Sequence, residues 1–397
     1  MRILHVVPSI DPALGGVTET ARQLTAAMLR MGVDAEVLSV EVPREPHQEN
    51  WRIPVHGLGR AFTYYQYSAA LVPWLRNNHS RYDAVLIHGI WRYPSVGVWR
   101  ALRTTQKPYF LFLHGMLNPW FQQAYMWKHI KKSVFWRLLE HRVLRDARSV
   151  LFTSEAERAL AREAFRPFRC AEHVIGMGTT SPPHDATDQL AAFYRAAPDT
   201  RERRNILFLG RLHRVKGCDL LIRAFARVAA PNLRFHLVIA GPDEGGLRPR
   251  LELLARELGI HNRITWTGQI EGAVKWGAFR AAEVFALPSH TENYGHAVVE
   301  AMACGVPVLI TNKVNIWNEI SADCAGFVED DDLDGICALL SKWVLLDENQ
   351  RNALRQKARN CFLERFDIDA FSLRLAQYLE TVIFAPLPNS REVVNHG

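Results

Sequence analysis

The sequence predicts an α/β protein of two doubly wound domains, each a parallel sheet between helices. Short apolar runs alternate with helical patterns through the chain, which is the signature of repeated strand-helix units. At 397 residues the chain exceeds one ordinary domain and suits two of roughly 180 each. Between the halves, Ser181-Pro182-Pro183-His184-Asp185-Ala186-Thr187 is turn-rich and reads as a linker. The domains are accordingly placed at 1–185 and 186–368, with a last helix at about 369–385.

In the first half the strands are Ile3 to Val7, Ala35 to Val40, Ala84 to Ile87, Tyr109 to Leu113 and Val150 to Thr153. The first is followed by Asp11-Pro12-Ala13-Leu14-Gly15-Gly16-Val17 and then by apolar or small residues at Val17, Thr20, Ala21, Leu24 and Met28, the spacing of a helix face. Gly15 and Gly16 allow backbone to approach a ligand, with the helix N-terminus aimed at it. They do not supply the Gly-x-Gly-x-x-Gly of a dinucleotide oxidoreductase. His88-Gly89 and His114-Gly115 end two strands, where an open α/β sheet carries its ligand crevice. Ser154 with Glu157 forms a capping box.

In the second half the runs Ile206 to Leu209, Leu237 to Ala240, Ile264 to Trp266, Val284 to Leu287 and Val308 to Thr311 are the strands. Pro288 and Ser289 end the fourth, and Gly295 permits a tight entry into a helix from Ala297 to Cys304. Glu292 therefore lies in a strand-to-helix loop. The free amides of the helix start can donate to an anionic or hydroxyl-rich ligand, and Glu300, further into the helix, can accept from a diol such as ribose.

Composition narrows the function classes. Apolar content of 48% is that of a chain with a full core, and no run of ~18 apolar residues is present to span a membrane. The apolar part of Met1-Arg2-Ile3-Leu4-His5-Val6-Val7-Pro8 is too short for a signal peptide, so the chain is expected in the cytoplasm. Six cysteines form no Cys-x-x-Cys pair and read as reduced thiols. Residues 1–170 hold 23 Lys/Arg against 13 Asp/Glu, net +10 in a chain of net +7. The excess is densest over 101–170, net +8, interleaved with Trp120, Phe121, Tyr125, Trp127, Phe135 and Trp136. Such a surface favours a phosphate-bearing acceptor or an anionic membrane surface, here the inner face of the cell membrane. No helix-turn-helix, zinc finger or RNA-binding signature accompanies it, so no nucleic-acid partner is expected.

Glu292 and Glu300 flank seven residues and are followed by Gly305-Val306-Pro307-Val308, a segment that resembles the paired-glutamate motif of the retaining family 4 glycosyltransferases. Leu209-Gly210-Arg211-Leu212-His213-Arg214-Val215-Lys216-Gly217 resembles the same family's Gly-Arg-Leu…Lys-Gly loop, in the expected order and separation. The resemblance covers almost the whole chain and is most specific from about 206 to 311. It implies a GT-B fold: two Rossmann-like domains facing a central cleft, with the last helix crossing back to the first domain. It also implies a metal-independent hexosyltransferase that needs no cofactor. The donor is a nucleotide-diphosphate sugar and the acceptor lipid-linked or an oligosaccharide, in the setting of cell-surface polysaccharide or lipopolysaccharide assembly.

Carried onto this chain, the family's roles place Arg211, Lys216, Gly15, Gly16, Tyr294 and Gly295 on the donor diphosphate, Glu300 on the ribose and Glu292 on the sugar beside the reacting carbon. His114 matches a histidine that contacts the donor sugar, His88 could meet the acceptor, and base selection falls near Gln269 and Ile270. Leu14 stands where glycogen synthases carry a Lys, which counts against glucan synthesis. Val174-Ile175-Gly176-Met177-Gly178-Thr179-Thr180 lacks the family's Asn-Gly and receives no role.

Asp332-Leu333-Asp334 and Asp367-Ile368-Asp369 mimic the Asp-x-Asp of metal-dependent glycosyltransferases. The first belongs to an acidic turn, and Asp369 reads as a helix N-cap. Two other classes stay open: a nucleotide-sugar epimerase of the same architecture, which would release free epimers without acceptor, and a non-catalytic nucleotide-binding scaffold.

Overall fold

A computed structural model describes residues 1–11, 16–41, 51, 53–59, 61, 63–119 and 126–384. In the first half, strands β1 (Arg2–Val7), β2 (Asp34–Ser39), β3 (Val55–Gly57), β4 (Ala84–His88), β5 (Tyr109–Phe112), β6 (Ser149–Phe152) and β7 (Glu172–Val174) form one sheet in the order β3-β2-β1-β4-β5-β6-β7. In the second, β8 (Arg204–Leu209), β9 (Phe235–Ala240), β10 (Ile264–Gly268), β11 (Ala282–Leu287), β12 (Val308–Thr311) and β13 (Gly326–Glu329) are ordered β10-β9-β8-β11-β12-β13. Every pairing is parallel. Central strands of such sheets are covered on both faces, which is why they read as unbroken apolar runs.

Three strands carry no such run: Val55–Gly57, Glu172–Val174 and Gly326–Glu329. All three are sheet edges whose residues are only half-buried, so neither an apolar run nor an alternation marks them. The ten strands expected from apolar runs are all present.

Each sheet reverses its order once, at β1/β4 in the first domain and at β8/β11 in the second. Loops leaving neighbouring strands at such a point diverge to opposite faces and open a crevice at the strands' carboxyl ends. The loops after β1 and β4, and those after β8 and β11, therefore leave their sheets where such crevices open.

The helix Ile368–Phe384 follows the second domain in sequence but packs on the first. Ile368, Phe371, Leu375 and Leu379 share a core cluster with Ile3, Leu24, Phe110 and Phe112. At ~1.5–3 kcal/mol per buried side chain, these four contribute on the order of 10 kcal/mol before ordering entropy. Arg30 pairs with Asp369 at 2.5 Å, Arg148 donates to the Val382 carbonyl at 3.1 Å, and the Tyr378 ring stacks on His173 at 3.8 Å. Asp369 is not the cap of this helix. Asp367 Oδ1 accepts from the amides of Asp369 and Ala370 at 3.0 and 3.2 Å, leaving Asp369 free to hold Arg30. Asp332 does cap its helix, accepting from Gly335 N at 2.8 Å.

Candidate active site

The two loops at the second domain's reversal point are joined to each other. After β8, a single helical turn Arg214–Lys216 ends at Gly217, whose φ is +65°. A Cβ there would sit 2.1 Å from the Pro288 carbonyl oxygen, so only glycine lets this loop lie against the one after β11. His290 N donates to the Val215 carbonyl at 2.8 Å and completes the junction. Across it, the Lys216 ammonium pairs with the Glu292 carboxylate.

Glu292 is held by its backbone as well: its amide donates to Lys313 O and its carbonyl accepts from Asn315 N, both at 3.0 Å. Gly295, at φ +69°, then turns the chain into the helix His296–Ala303. One residue along that helix from Val299, Glu300 accepts from Lys275 Nζ at 2.7 Å. Lys275 belongs to the helix Gly272–Ala281, which follows β10; Gln269 and Ile270 lie in the intervening turn. Both glutamates thus face a lysine from another segment, and these pairs are sheltered, with side chains 14–24% exposed. Arg211 differs. It pairs with Glu244 at 2.7 Å on open surface, at 61% and 52% exposure, where an ion pair contributes little and exchange for an anionic ligand is easy.

In the first domain a line of histidines runs from the sheet core to the cleft. His5 on β1, His88 at the end of β4 and His114 after β5 are hydrogen-bonded in series, Nδ1 of His5 to Nε2 of His88 at 3.0 Å and Nδ1 of His88 to Nε2 of His114 at 3.1 Å. Their rings stack at 5.3 Å. Burial lowers all three, His5 and His114 to about 3 and His88 well below the usual range, so the line is neutral near pH 7. His88, expected at the acceptor, is instead enclosed between the other two. Its two nitrogens are used on His5 and His114, and in a neutral ring this ties the tautomer of one histidine to that of the next.

His114 has φ +52°, followed by Gly115 at +75°. A left-handed non-glycine residue carries ~1–3 kcal/mol of strain, and here a buried carboxylate braces it. Glu157 accepts from Gly115 N and from Thr153 N and Oγ1, while its own amide bonds the Ser154 cap at 3.1 Å. The capping box is therefore half made: the Glu157 side chain serves the His114 turn in place of the cap's backbone.

The cleft is closed by the segment 291–296, which includes Glu292. Asn293 donates to Thr153 Oγ1 at 3.3 Å, Asn118 to Thr291 Oγ1 at 2.8 Å, and Tyr294 OH to Met177 O at 3.0 Å. The Tyr294 ring is buried and its hydroxyl is taken up by the Met177 carbonyl, so the side chain expected on the diphosphate is enclosed in the protein. A Cβ on Gly16 would lie 2.9 Å from His296 Nε2, which sets the start of the first domain's helix Gly16–Arg30 beside the glutamate-bearing helix. Gly15 lies outside the described residues, as do Trp120, Phe121 and Tyr125. Of two surface hollows of about 500 and 520 Å³, the first borders this junction through Arg214, Val215 and His290 and the second lies on the first domain; Glu292 and Glu300 line neither. Lys275, Asn293 and Glu157 are the additions that spacing along the chain does not reveal.

Residues 193–361 match the family of glycosyl transferases group 1, and residues 15–178 the glycosyl transferase 4-like domain. Both halves are glycosyltransferase domains. The D-inositol 3-phosphate glycosyltransferase of Corynebacterium jeikeium is 29% identical over 238 residues, 56% of this chain and 55% of that protein. Its counterpart in Mycobacterium sp. strain JLS is 40% identical over 124 residues, 31% and 27% of the two chains. The chain thus matches about half or less of the length of those relatives. The Anabaena HepE protein in complex with UDP and glucose superposes with a TM-score of 0.73 at 20% identity, covering 96% of this chain and 100% of its own. Sucrose-phosphate synthase from Thermosynechococcus elongatus gives 0.73 at 22%, covering 96% and 98%. The fold is GT-B. Among the described residues no helix is long and apolar enough to cross a membrane.

Proposed function

We propose that this glycosyltransferase moves a hexose from a nucleoside-diphosphate sugar to a lipid-linked or oligosaccharide acceptor, with retention and without a metal, in cell-surface polysaccharide synthesis. The observation that carries the reading is the pair of sheltered Lys–Glu contacts, Lys216–Glu292 between the two loops at the strand-order reversal and Lys275–Glu300 between the helices that follow β10 and β11. Lys216, joined by Arg211 when its surface pair with Glu244 opens, balances the charge that grows on the departing diphosphate. Glu300 accepts from the ribose diol, and Gln269 and Ile270 meet the base. Glu292 lies beside the reacting carbon, where positive charge develops, and His114 orients the sugar. Because HepE is complexed with UDP and glucose, uridine diphosphate hexoses are the first donors to try.

In this mechanism the leaving phosphate oxygen takes the acceptor proton on the face it vacates, and Glu292 stabilises the oxocarbenium-like carbon. A thermal-shift and hydrolysis panel of UDP-, GDP- and ADP-sugars tests it. One preferred donor, hydrolysed slowly in the absence of acceptor, is expected. Release of epimerised nucleotide sugar, or no nucleotide binding at all, overturns it in favour of an epimerase or a scaffold.

A further inference from the structure

The hollow of about 520 Å³ on the first domain belongs to none of the chemistry above. It lies along the helix Tyr93–Leu102, between it, the helix Leu71–Asn78 and the turn Trp136–Glu140. One wall is aromatic and continuous: Tyr67 packs on Tyr93 at 4.7 Å, and Tyr65 on Phe135 at 5.5 Å. The other is cationic, formed by Arg76, Arg100 and Arg103. Among the described residues no carboxylate lines the hollow and none of these arginines is ion-paired. Arg103 lies over the Trp99 ring at 5.2 Å, and Arg100 is close enough to perturb both Tyr65 and Tyr93. Burial holds those two phenols above their usual range, so they remain hydroxyl donors at neutral pH.

Two further facts describe what would fit. Tyr93 begins the helix that follows β4, at the cleft end of the sheet, whereas Arg100 and Arg103 lie roughly 10–15 Å further along it at ~1.5 Å per residue. Beside the hollow, Ile130, Val134 and Leu138 are spaced four apart and each more than half exposed, next to the lining residues Phe135 and Leu139. Three guanidinium groups with phenol donors suit phosphate oxygens; an aromatic wall running to an exposed apolar ridge suits a hydrocarbon chain. Its volume is that of a small-molecule site.

We propose that this hollow binds a phosphate- or diphosphate-bearing amphiphile, with the anionic group on Arg76, Arg100 and Arg103 and the apolar chain along the aromatic wall and the ridge. Its role as acceptor site rests on the function proposed above; its binding chemistry does not. A bound headgroup here would hold a lipid-linked acceptor on the flank of the first domain, roughly 10–15 Å along the helix from the cleft end of β4.

The test is a calorimetric titration of the full chain with geranyl diphosphate, inorganic diphosphate and geraniol, and co-sedimentation with phosphatidylglycerol vesicles. Saturable 1:1 binding of geranyl diphosphate is expected, at least about 10-fold tighter than either fragment, and weakened about 10-fold or more in Arg100→Ala/Arg103→Ala. UDP affinity should be the same in both proteins, which also reports that the variant is folded. Equal affinity for diphosphate and geranyl diphosphate would reduce the site to an anion patch and overturn the proposal. So would binding unaffected by the double substitution, or vesicle binding without any binding of geranyl diphosphate, which would mark a membrane surface instead. Failure of UDP or any nucleotide sugar to bind, with geranyl diphosphate still bound, would sink the proposed transfer reaction and leave this site standing.

Discussion

Glu140 should make the first domain less stable as pH rises through neutrality, and Glu140→Gln should abolish that loss. The side chain has no exposed surface, and burial pushes its carboxyl up to about 7 against the opposing pull of the Trp91 amide and the Ser95 hydroxyl. Its hydrogen bonds suit the neutral acid. Trp91 N donates to Oε1 at 2.9 Å. Ser95 Oγ lies 3.0 and 3.3 Å from the two carboxyl oxygens, yet it also reaches the Arg92 carbonyl at 2.8 Å, and it has one proton to give. If that proton goes to Arg92, the carboxyl must be the donor to Ser95, which only its protonated form can be.

The sign follows from which state keeps the proton. Between the ordinary value of 4.5 and about 7 the folded chain holds a proton that the unfolded chain has released, so folding binds protons. The stabilising contribution is full below pH 4.5 and is lost as pH rises through 7. At ~1.4 kcal/mol per pH unit, the loss approaches about 3 kcal/mol by pH 8. In Glu140→Gln the amide can donate to Ser95 while its oxygen accepts from Trp91, so the neutral arrangement is kept at every pH. Urea denaturation of both proteins at pH 5 and pH 8 provides the assay, read on the transition of the first domain. The difference between them should grow by about 2–3 kcal/mol in favour of the variant on going to pH 8, or by roughly 4–12 °C in Tm at ~2–4 °C per kcal/mol. Other titrating groups cancel in this comparison. Parallel pH dependences would refute the reasoning, because Glu140 would then ionise alike in the folded and unfolded chain.

Four further outcomes are expected. Glu300→Gln should raise donor KM by roughly 10- to 150-fold with little change in kcat, the loss of a charge-assisted hydrogen bond of ~1.5–3 kcal/mol; steady-state kinetics with the preferred donor reads this. Glu292→Gln should lower kcat by ~100-fold or more while binding UDP at least as tightly, since Lys216 is released to the diphosphate; near wild-type turnover refutes its role. Activity should persist in EDTA, and a loss restored by Mn²⁺ or Mg²⁺ would refute the reading in which Arg211 and Lys216 supply the positive charge. His88→Leu should cut kcat by ~5-fold or more, as expected when a buried hydrogen bond worth ~1–3 kcal/mol is broken, with His88→Asn partly restoring it; equal activity in both would mean that the tautomer of His114 does not matter.

What the sequence made legible was local. Lys216, Gly217, Glu292, Gly295 and Glu300 belong to two short loops and a helix start, and their roles are set by neighbours a few positions away. The strands that could be read are those covered on both faces; Val55–Gly57, Glu172–Val174 and Gly326–Glu329 escaped because an edge strand with half-buried residues bears no distinctive period. Long-range partners left no trace in spacing: Lys275 comes to Glu300 from another strand-helix unit, and Glu157 reaches Gly115 from 42 positions away. His88 illustrates the limit most clearly. A strand-end histidine before glycine reads as a cleft residue, but the parallel register of β1, β4 and β5 sets His5 and His114 on either side of it, and the cleft is left to His114.

The sequence assigned the paired-glutamate loop to the second domain, whereas its contacts make it equally a part of the first. Thr291, Asn293, Tyr294 and His296 touch Asn118, Thr153, the Met177 carbonyl and the backbone of Gly16 respectively. Glu292 lies within this segment and Glu300 four residues beyond it, and these are the two proposed to hold sugar and ribose. A donor seated on Glu292 and Glu300 therefore acts on the same short segment that fixes the domains against each other. Conversely, any rotation that opens the cleft must break the Asn118–Thr291 and Asn293–Thr153 bonds and withdraw His296 from Gly16. Donor binding and closure then draw on one set of contacts, and linkage requires each to favour the other to the same extent. The braced left-handed turn at His114 fits this arrangement. Glu157 holds Gly115 in the position that Asn293 packs against, so the first domain presents a rigid seat and the glutamate loop closes onto it.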